Sequence, residues 1–83
     1  MGWIIRELSR MSKSTQKTFK TLGWKIQKLR KQLDLTQEEF AHRLGISRTY
    51  MGYIEQGRES PSLKLLIKMA RRFAVKVEDL FHR

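Results

Sequence analysis

Apolar residues recur along this chain at steps of three and four, the period of amphipathic helices, and no segment reads as a strand pair. Phe19, Leu22, Ile26, Leu29 and Leu33 set out a first helix running to about Leu33. Asp34 follows at its C-terminal turn, where Asp tolerates a left-handed backbone better than most non-glycine residues. Thr36-Gln37-Glu38-Glu39 reads as a capping box, with Leu35 and Phe40 on either side as a hydrophobic staple. The second helix it starts carries Phe40, Ala41 and Leu44 inward and stops at Gly45. Ser47 then caps a third helix, with Ile46 placed to staple to Met51. That helix runs from Arg48 to about Gln56, buries Met51 and Ile54, and ends at Gly57. Ser60-Pro61 supplies a cap followed by proline at the first helical position, and Leu63, Leu66, Ile67, Ala70 and Phe73 form the inward stripe of a fourth helix. A last turn, Val77 to Phe81, opens with Glu78 and Asp79 near its positive end. The predicted fold class is all-α, with five helices joined by short turns.

Ahead of Phe19 the pattern changes. Residues 12–18, Ser12-Lys13-Ser14-Thr15-Gln16-Lys17-Thr18, are polar throughout and read as a linker. Before them, Trp3, Ile4, Leu8 and Met11 fall at roughly helical spacing, a turn or two that must dock on something or fray. The chain therefore divides into a basic extension and linker over residues 1–18 and a folded domain over 19–83.

Composition narrows the function. With 83 residues the chain makes one small domain, which buries only about 60 % of its unfolded surface. That is too little for a multi-domain enzyme with a deep substrate pocket. There is no cysteine, hence no disulfide, thiol nucleophile or thiolate metal site. His42 and His82 stand in no metal-ligand spacing. Glu38 and Glu39, as helical neighbours, do not face one another and serve the cap and dipole instead of acid–base chemistry. His42 has no acid or Ser spaced to make a nucleophile with it. Catalysis, a cofactor, a metal and a small-molecule substrate are all without support. Apolar runs reach only three residues, as in Trp3-Ile4-Ile5, too short to span a bilayer, and Arg6, Glu7 and Arg10 interrupt any signal-peptide core. The expected location is cytoplasmic, beside the nucleoid. Eighteen Lys and Arg against eight Asp and Glu give a net charge of +10 and a pI near 10.6. Residues 1–21 hold five bases and one acid, residues 22–83 thirteen bases and seven acids, so the basicity is not confined to a tail. A polyanionic partner follows.

Helices two and three are separated only by Gly45-Ile46-Ser47, the spacing of a helix-turn-helix that sets its second helix into a DNA major groove. The same spacing also suits an ordinary helical corner. Three features favour DNA. The outer face of helix three, Arg48, Thr49, Gly52 and Tyr53, is polar and carries no acid. Ser47 and Gln37 sit at helix N-termini, where backbone N–H groups favour phosphate. The whole domain is cationic.

The run Leu22-Gly23, Leu35-Thr36-Gln37-Glu38-Glu39-Phe40-Ala41, Leu44-Gly45-Ile46-Ser47-Arg48-Thr49-Tyr50, Ile54-Glu55-Gln56-Gly57-Arg58, Pro61-Ser62-Leu63 and Val77-Glu78-Asp79-Leu80-Phe81 resembles the phage Cro/repressor-like (XRE) helix-turn-helix family over about residues 22–81. Arg48-Thr49-Tyr50 with Ile54-Glu55 is similar, more narrowly, to controller proteins of restriction–modification systems. The resemblance implies a five-helix repressor-like bundle in a bacterial or phage transcriptional regulator, acting as a homodimer on a two-fold-related operator in double-stranded DNA. It implies that Gln37 grips a phosphate and braces the start of helix three. Arg48, Thr49 and Tyr53 would reach base edges, while Ser47, Gly52 and Arg58 lie along the DNA backbone. It also puts a paired Arg and Glu at Arg30 and Glu55, an ion pair tying helix one to the end of helix three. The chemistry of the residues agrees for most of these: Arg48 suits bidentate pairing with guanine, and Thr49 offers a methyl to thymine. The Tyr53 ring has other uses, stacking, touching sugar or packing on its own helix. Ala74 departs from the pattern where a helix-ending Gly is usual, and Lys76 where Ser or Thr would cap; each costs roughly 1 kcal/mol. Gly52 in mid-helix costs about as much. Arg71-Arg72 reads either as a solvated helix face or as a phosphate contact, and Trp24 as half-exposed packing against the extension.

Two other functions compete. One is an antitoxin-like module that neutralises a protein partner, with DNA binding secondary. The other is peripheral membrane binding through Trp3, Ile4, Leu8 and the surrounding bases. For the dimer, Val75, Val77, Leu80 and Phe81 supply apolar area at the C-terminal surface, unless Leu80 and Phe81 simply close their own core; Trp3, Ile4 and Leu8 are the other patch.

Overall fold

Every α-helix in this computed structural model, which describes residues 12–83, starts at a hydroxyl. Ser12 caps α1 (Lys13–Gln32), Thr36 caps α2 (Gln37–Leu44), Ser47 caps α3 (Arg48–Glu55) and Ser62 caps α4 (Leu63–Phe73). Each side-chain oxygen accepts a backbone N–H three residues on, at 3.0–3.1 Å, satisfying a first-turn donor that the helix leaves without a partner. At α2 the box is reciprocal, because the Thr36 N–H donates to Glu39 Oε1 at 2.9 Å.

Several expectations are corrected. The described residues form four α-helices and not five, since Val77–Phe81 is a five-residue 3₁₀ turn. So short a segment closes with the tighter hydrogen bonds. Lys76 offers no capping oxygen there; the Asp79 carboxylate instead accepts the Lys76 N–H at 3.1 Å. The segment read as a linker, residues 12–18, opens α1: Ser12 caps it, and no Gly or Pro interrupts before Gly23. The cap of α4 is Ser62 and not Ser60, and Pro61 is buried ahead of the helix. That helix turns Leu65, Leu66, Met69, Ala70 and Phe73 inward, leaving Leu63 66 % and Ile67 37 % exposed. Periodicity alone allowed either stripe, because this helix is apolar on both flanks of its core face. Leu33 is also largely exposed, as the C-cap of α1. The spacing pattern of Trp3, Ile4, Leu8 and Met11 lies outside the described residues.

Left-handed residues make the corners. Asp34 (φ 58°), Gly45 (φ 75°), Gly57 (φ 75°) and Ala74 (φ 57°) turn the chain at the C-terminal ends of α1, α2, α3 and α4 respectively. Ala74 thus takes the conformation that glycine would take without strain, at about 1 kcal/mol. The core they enclose gathers Leu22, Ile26, Phe40, Met51, Ile54, Met69 and Leu80, with the Phe40 and Phe73 rings 5.0 Å apart and tilted by 35°.

One buried polar cluster sets how α1 crosses the helix pair. The Arg30 Nε and Nη2 donate to the two carboxylate oxygens of Glu55 at 2.7 and 3.1 Å. Its Nη1 donates to the Leu35 carbonyl at 2.6 Å, and Gln37 Nε2 donates to Glu55 Oε1 at 3.0 Å. The end of α1, the loop into α2, the first turn of α2 and the last turn of α3 therefore meet at one fork. Glycines permit the approach. A Cβ on Gly23 would press into the Ile54 carbonyl oxygen and lie 2.6 Å from that of Glu55. One on Gly57 would lie 2.9 Å from Lys20 Cγ and 3.0 Å from Lys20 Cα.

Removing one partner of the buried pair strands the other. Glu55→Ala is expected to lower unfolding free energy by about 3–5 kcal/mol in urea denaturation; an unchanged midpoint would contradict it. Gly23→Ala gains helix propensity yet forces backbone apart, for a net loss of about 1–3 kcal/mol. Stabilisation in the same assay would show that α1 does not pack this tightly on α3.

Candidate nucleic-acid interface

The corner between α2 and α3 follows from three residues. Gly45 turns left-handed, the Ile46 N–H reaches back to the Ala41 carbonyl at 3.0 Å, and Ser47 caps α3 immediately. Ile46 packs partly buried against the core, which fixes the angle of entry. From α4, Lys68 Nζ donates to the Leu44 carbonyl at 3.0 Å, so the end of α2 is held by a cation at its negative pole.

With Met51, Ile54 and Glu55 turned inward, α3 presents Arg48 and Thr49 exposed and Gly52 and Tyr53 half-exposed on one side. Beyond its own helix, the nearest atom to a Cβ built on Gly52 is Gln56 Nε2 at 3.9 Å. No packing demand therefore explains that glycine, and the surface over it is open to a close approach. At the far end the Arg58 guanidinium lies over the Tyr53 ring, 4.7 Å from its centroid. Arg58 Nη1 also points to Gln56 Oε1 at 3.4 Å. Ser47, Arg48, Thr49, Gly52, Tyr53 and Arg58 thus share one surface along α3 and the loop after it.

Gln37 stands differently. Its side-chain amide is engaged with Glu55, so it braces the end of α3 and not its start. The first turn of α2 also carries Glu38 and Glu39. The Glu39 carboxyl is held below its usual value by the Thr36 backbone N–H and then the Thr36 hydroxyl, which keeps it charged. The first turn of α2 is thus flanked by negative charge, whereas the first turn of α3 contains no acid. One N–H of the Gln37 amide is used on Glu55, which leaves its second N–H and the backbone N–H to face an anion.

Two contacts escaped the pattern reading. Tyr50 donates its hydroxyl to the Ser60 carbonyl at 3.3 Å, pinning the loop that follows α3. Burial, then the charge of Glu59, pushes its phenol pKa up. The other is the Lys68 bond to Leu44, which joins residues far apart in sequence and so leaves no local signal. Trp24 is half-buried between Lys28 Nζ, 5.1 Å from the ring centroid, and Arg83 Cζ, at 4.6 Å; packing against residues 1–11 lies outside the described residues. Arg71 and Arg72 are exposed near the end of α4. At the C-terminal surface Leu80 is completely buried, so it closes the domain's own core and is withdrawn as a dimer contact. Phe81 remains 37 % exposed, with Val75 and Val77 half-buried beside it. Among the described residues no cluster of His, Asp and Glu could hold a metal, and no helix is long and apolar enough to cross a membrane.

A helix-turn-helix family model matches residues 26–80. An uncharacterised HTH-type transcriptional regulator of Archaeoglobus fulgidus is 44 % identical over 57 residues, covering 69 % of this chain and 80 % of that protein. The control protein C.MunI of a Mycoplasma species is 40 % identical over 60 residues, 71 % of this chain and 81 % of its own length. Among solved structures, the restriction–modification controller protein C.AhdI of Aeromonas hydrophila superposes with a TM-score of 0.69 at 30 % identity, covering 76 % of this chain and 96 % of that one. These relatives are named as regulators and controllers, not as enzymes. With the Gly45 corner, the Ser47 cap and the match over residues 26–80 together, the chain belongs to the XRE-type helix-turn-helix family.

Proposed function

We propose that this chain is a sequence-specific, double-stranded DNA-binding transcriptional regulator that reads the major groove with α3. The observation that carries the reading is the outer face of α3, polar, free of acid and open above Gly52, on a helix whose inner face is locked to the core. In this reading Arg48 pairs with a guanine edge, and Thr49 meets a base through its hydroxyl or methyl. Tyr53, held under Arg58, contacts a base or the adjoining sugar. Ser47, Gly52, Arg58 and the Gln37 backbone N–H lie along phosphates and set the register.

The two arginines separate base reading from backbone contact. Arg48→Ala should weaken binding to an enriched duplex by about 1–3 kcal/mol and relax the preference at one base position. Arg58→Ala should weaken all duplexes alike and make the salt dependence shallower by about one unit. Equal losses on enriched and random duplex for both variants, measured by fluorescence anisotropy, would refute the division.

One domain of this size reads only a few base pairs, so a two-fold dimer is part of the proposal. It sets two copies of α3 about 34 Å apart, one turn of DNA. The surface around Phe81 is the apolar area offered for it. Sedimentation should find a dimer at tens of micromolar, shifted towards monomer in Phe81→Ser. A wild-type monomer that binds single half-sites without cooperativity would overturn this.

A further inference from the structure

The family match begins at residue 26, yet α1 begins at Lys13, so more than half of this helix lies ahead of the matched segment. Over Lys13–Gln32 the helix carries six lysines and Arg30 and no acid. Arg30 is consumed by Glu55. Lys13, Lys17 and Lys20 stand at i, i+4 and i+7, one above another on a single stripe, and all three are exposed. None of the three forms an ion pair among the described residues.

By its own energetics this arrangement is unfavourable. Like charges at i,i+3 and i,i+4 repel, and lysines in the first turns face the positive end of the helix dipole. An acid in the first turn would relieve both, and α2 has two there, but α1 has none. A rule broken locally, on an exposed face where only Lys20 touches another element, points to a ligand that neutralises it. The position of the stripe says which ligand. Lys20 packs directly over Gly57, the residue before Arg58, so the lysines begin where the α3 surface ends and continue away from it one helical turn at a time, about 5.4 Å per step.

We infer that Lys13, Lys17 and Lys20 form a phosphate-tracking strip that extends the DNA contact beyond the segment read by α3. It rests on the reading of α3 as the DNA-facing helix. The strip adds affinity without choosing sequence, because an ammonium meets phosphate as a point charge.

The test uses the full chain, Lys13→Gln/Lys17→Gln, and the triple variant with Lys20→Gln. Glutamine keeps the helix propensity, and the double variant leaves the packed residue untouched. Each protein is titrated by anisotropy against an enriched duplex and a random one, from low to moderate salt, with circular dichroism to confirm folding. Each lost phosphate contact makes the slope of log K against log salt shallower by about 0.9, so the double variant should lose about two units and the triple nearly three. The loss should be the same on both duplexes, leaving the preference between them intact. An unchanged slope in folded variants would overturn the strip while leaving the α3 reading standing. A wild type that prefers no duplex, yet loses slope in the variants, would keep the strip and refute α3. A wild type that ignores duplex but sediments with phosphatidylserine vesicles through these lysines would refute both and assign the stripe to a membrane surface.

Discussion

The fork of hydrogen bonds at Arg30 is the constraint on which the α3 surface depends. One guanidinium joins the end of α1, the carbonyl of Leu35 and the carboxylate of Glu55, and Gln37 closes the cluster from α2. A buried ion pair is a poor way to gain stability, since desolvating both charges offsets most of their attraction. Its use here is directional. The planar fork accepts its carboxylate in one orientation only, so α3 cannot roll about its axis without breaking charge-assisted bonds. An apolar replacement of similar volume would hold α3 against the core but not fix which residues face outward. The close crossing at Gly23 works in the same sense, because backbone atoms that touch leave no side chain to repack.

The two ends of α3 are thereby fixed by different means. Its N-terminus is set by the left-handed Gly45, the Ser47 cap and the burial of Ile46; its C-terminus by Glu55 and by Tyr50, which ties the following loop through Ser60. Between them, Arg48, Thr49 and Gly52 make no demand on the fold. That separation of roles lets the outward residues vary in chemistry while the helix stays in place.

Much of this was legible in the sequence because its signals are local. The Thr36–Glu39 box, the Gly45-Ile46-Ser47 corner and the left-handed Asp34 each involve residues within one turn of one another. The failures have equally physical causes. Polar composition between Ser12 and Thr18 suggested a linker, but a helix needs only a cap and the absence of breakers to continue outward from a packed segment. Ser60 ahead of Pro61 offered the local cap signal, but it is the Ser62 hydroxyl that accepts the Leu65 N–H. The apolar flanks of α4 left its inward stripe undetermined, and the end of the chain could be read as either core or partner surface until Leu80 was found inside. The Gln37 contact joins the first turn of α2 to the last turn of α3, which no spacing rule reports.

Charge completes the account. Acids sit in the first turn of α2 and are absent from the first turns of α1, α3 and α4, so α3 and the α1 flank beside it favour anions. In the function proposed, this surface chooses among DNA sequences and does not merely attract polyanions. Competition binding tests it most directly: a duplex enriched from a random pool is titrated against bulk DNA at fixed, near-physiological salt. The enriched duplex should be preferred by about a thousandfold or more. Displacement of every enriched duplex by an equal mass of bulk DNA would contradict it.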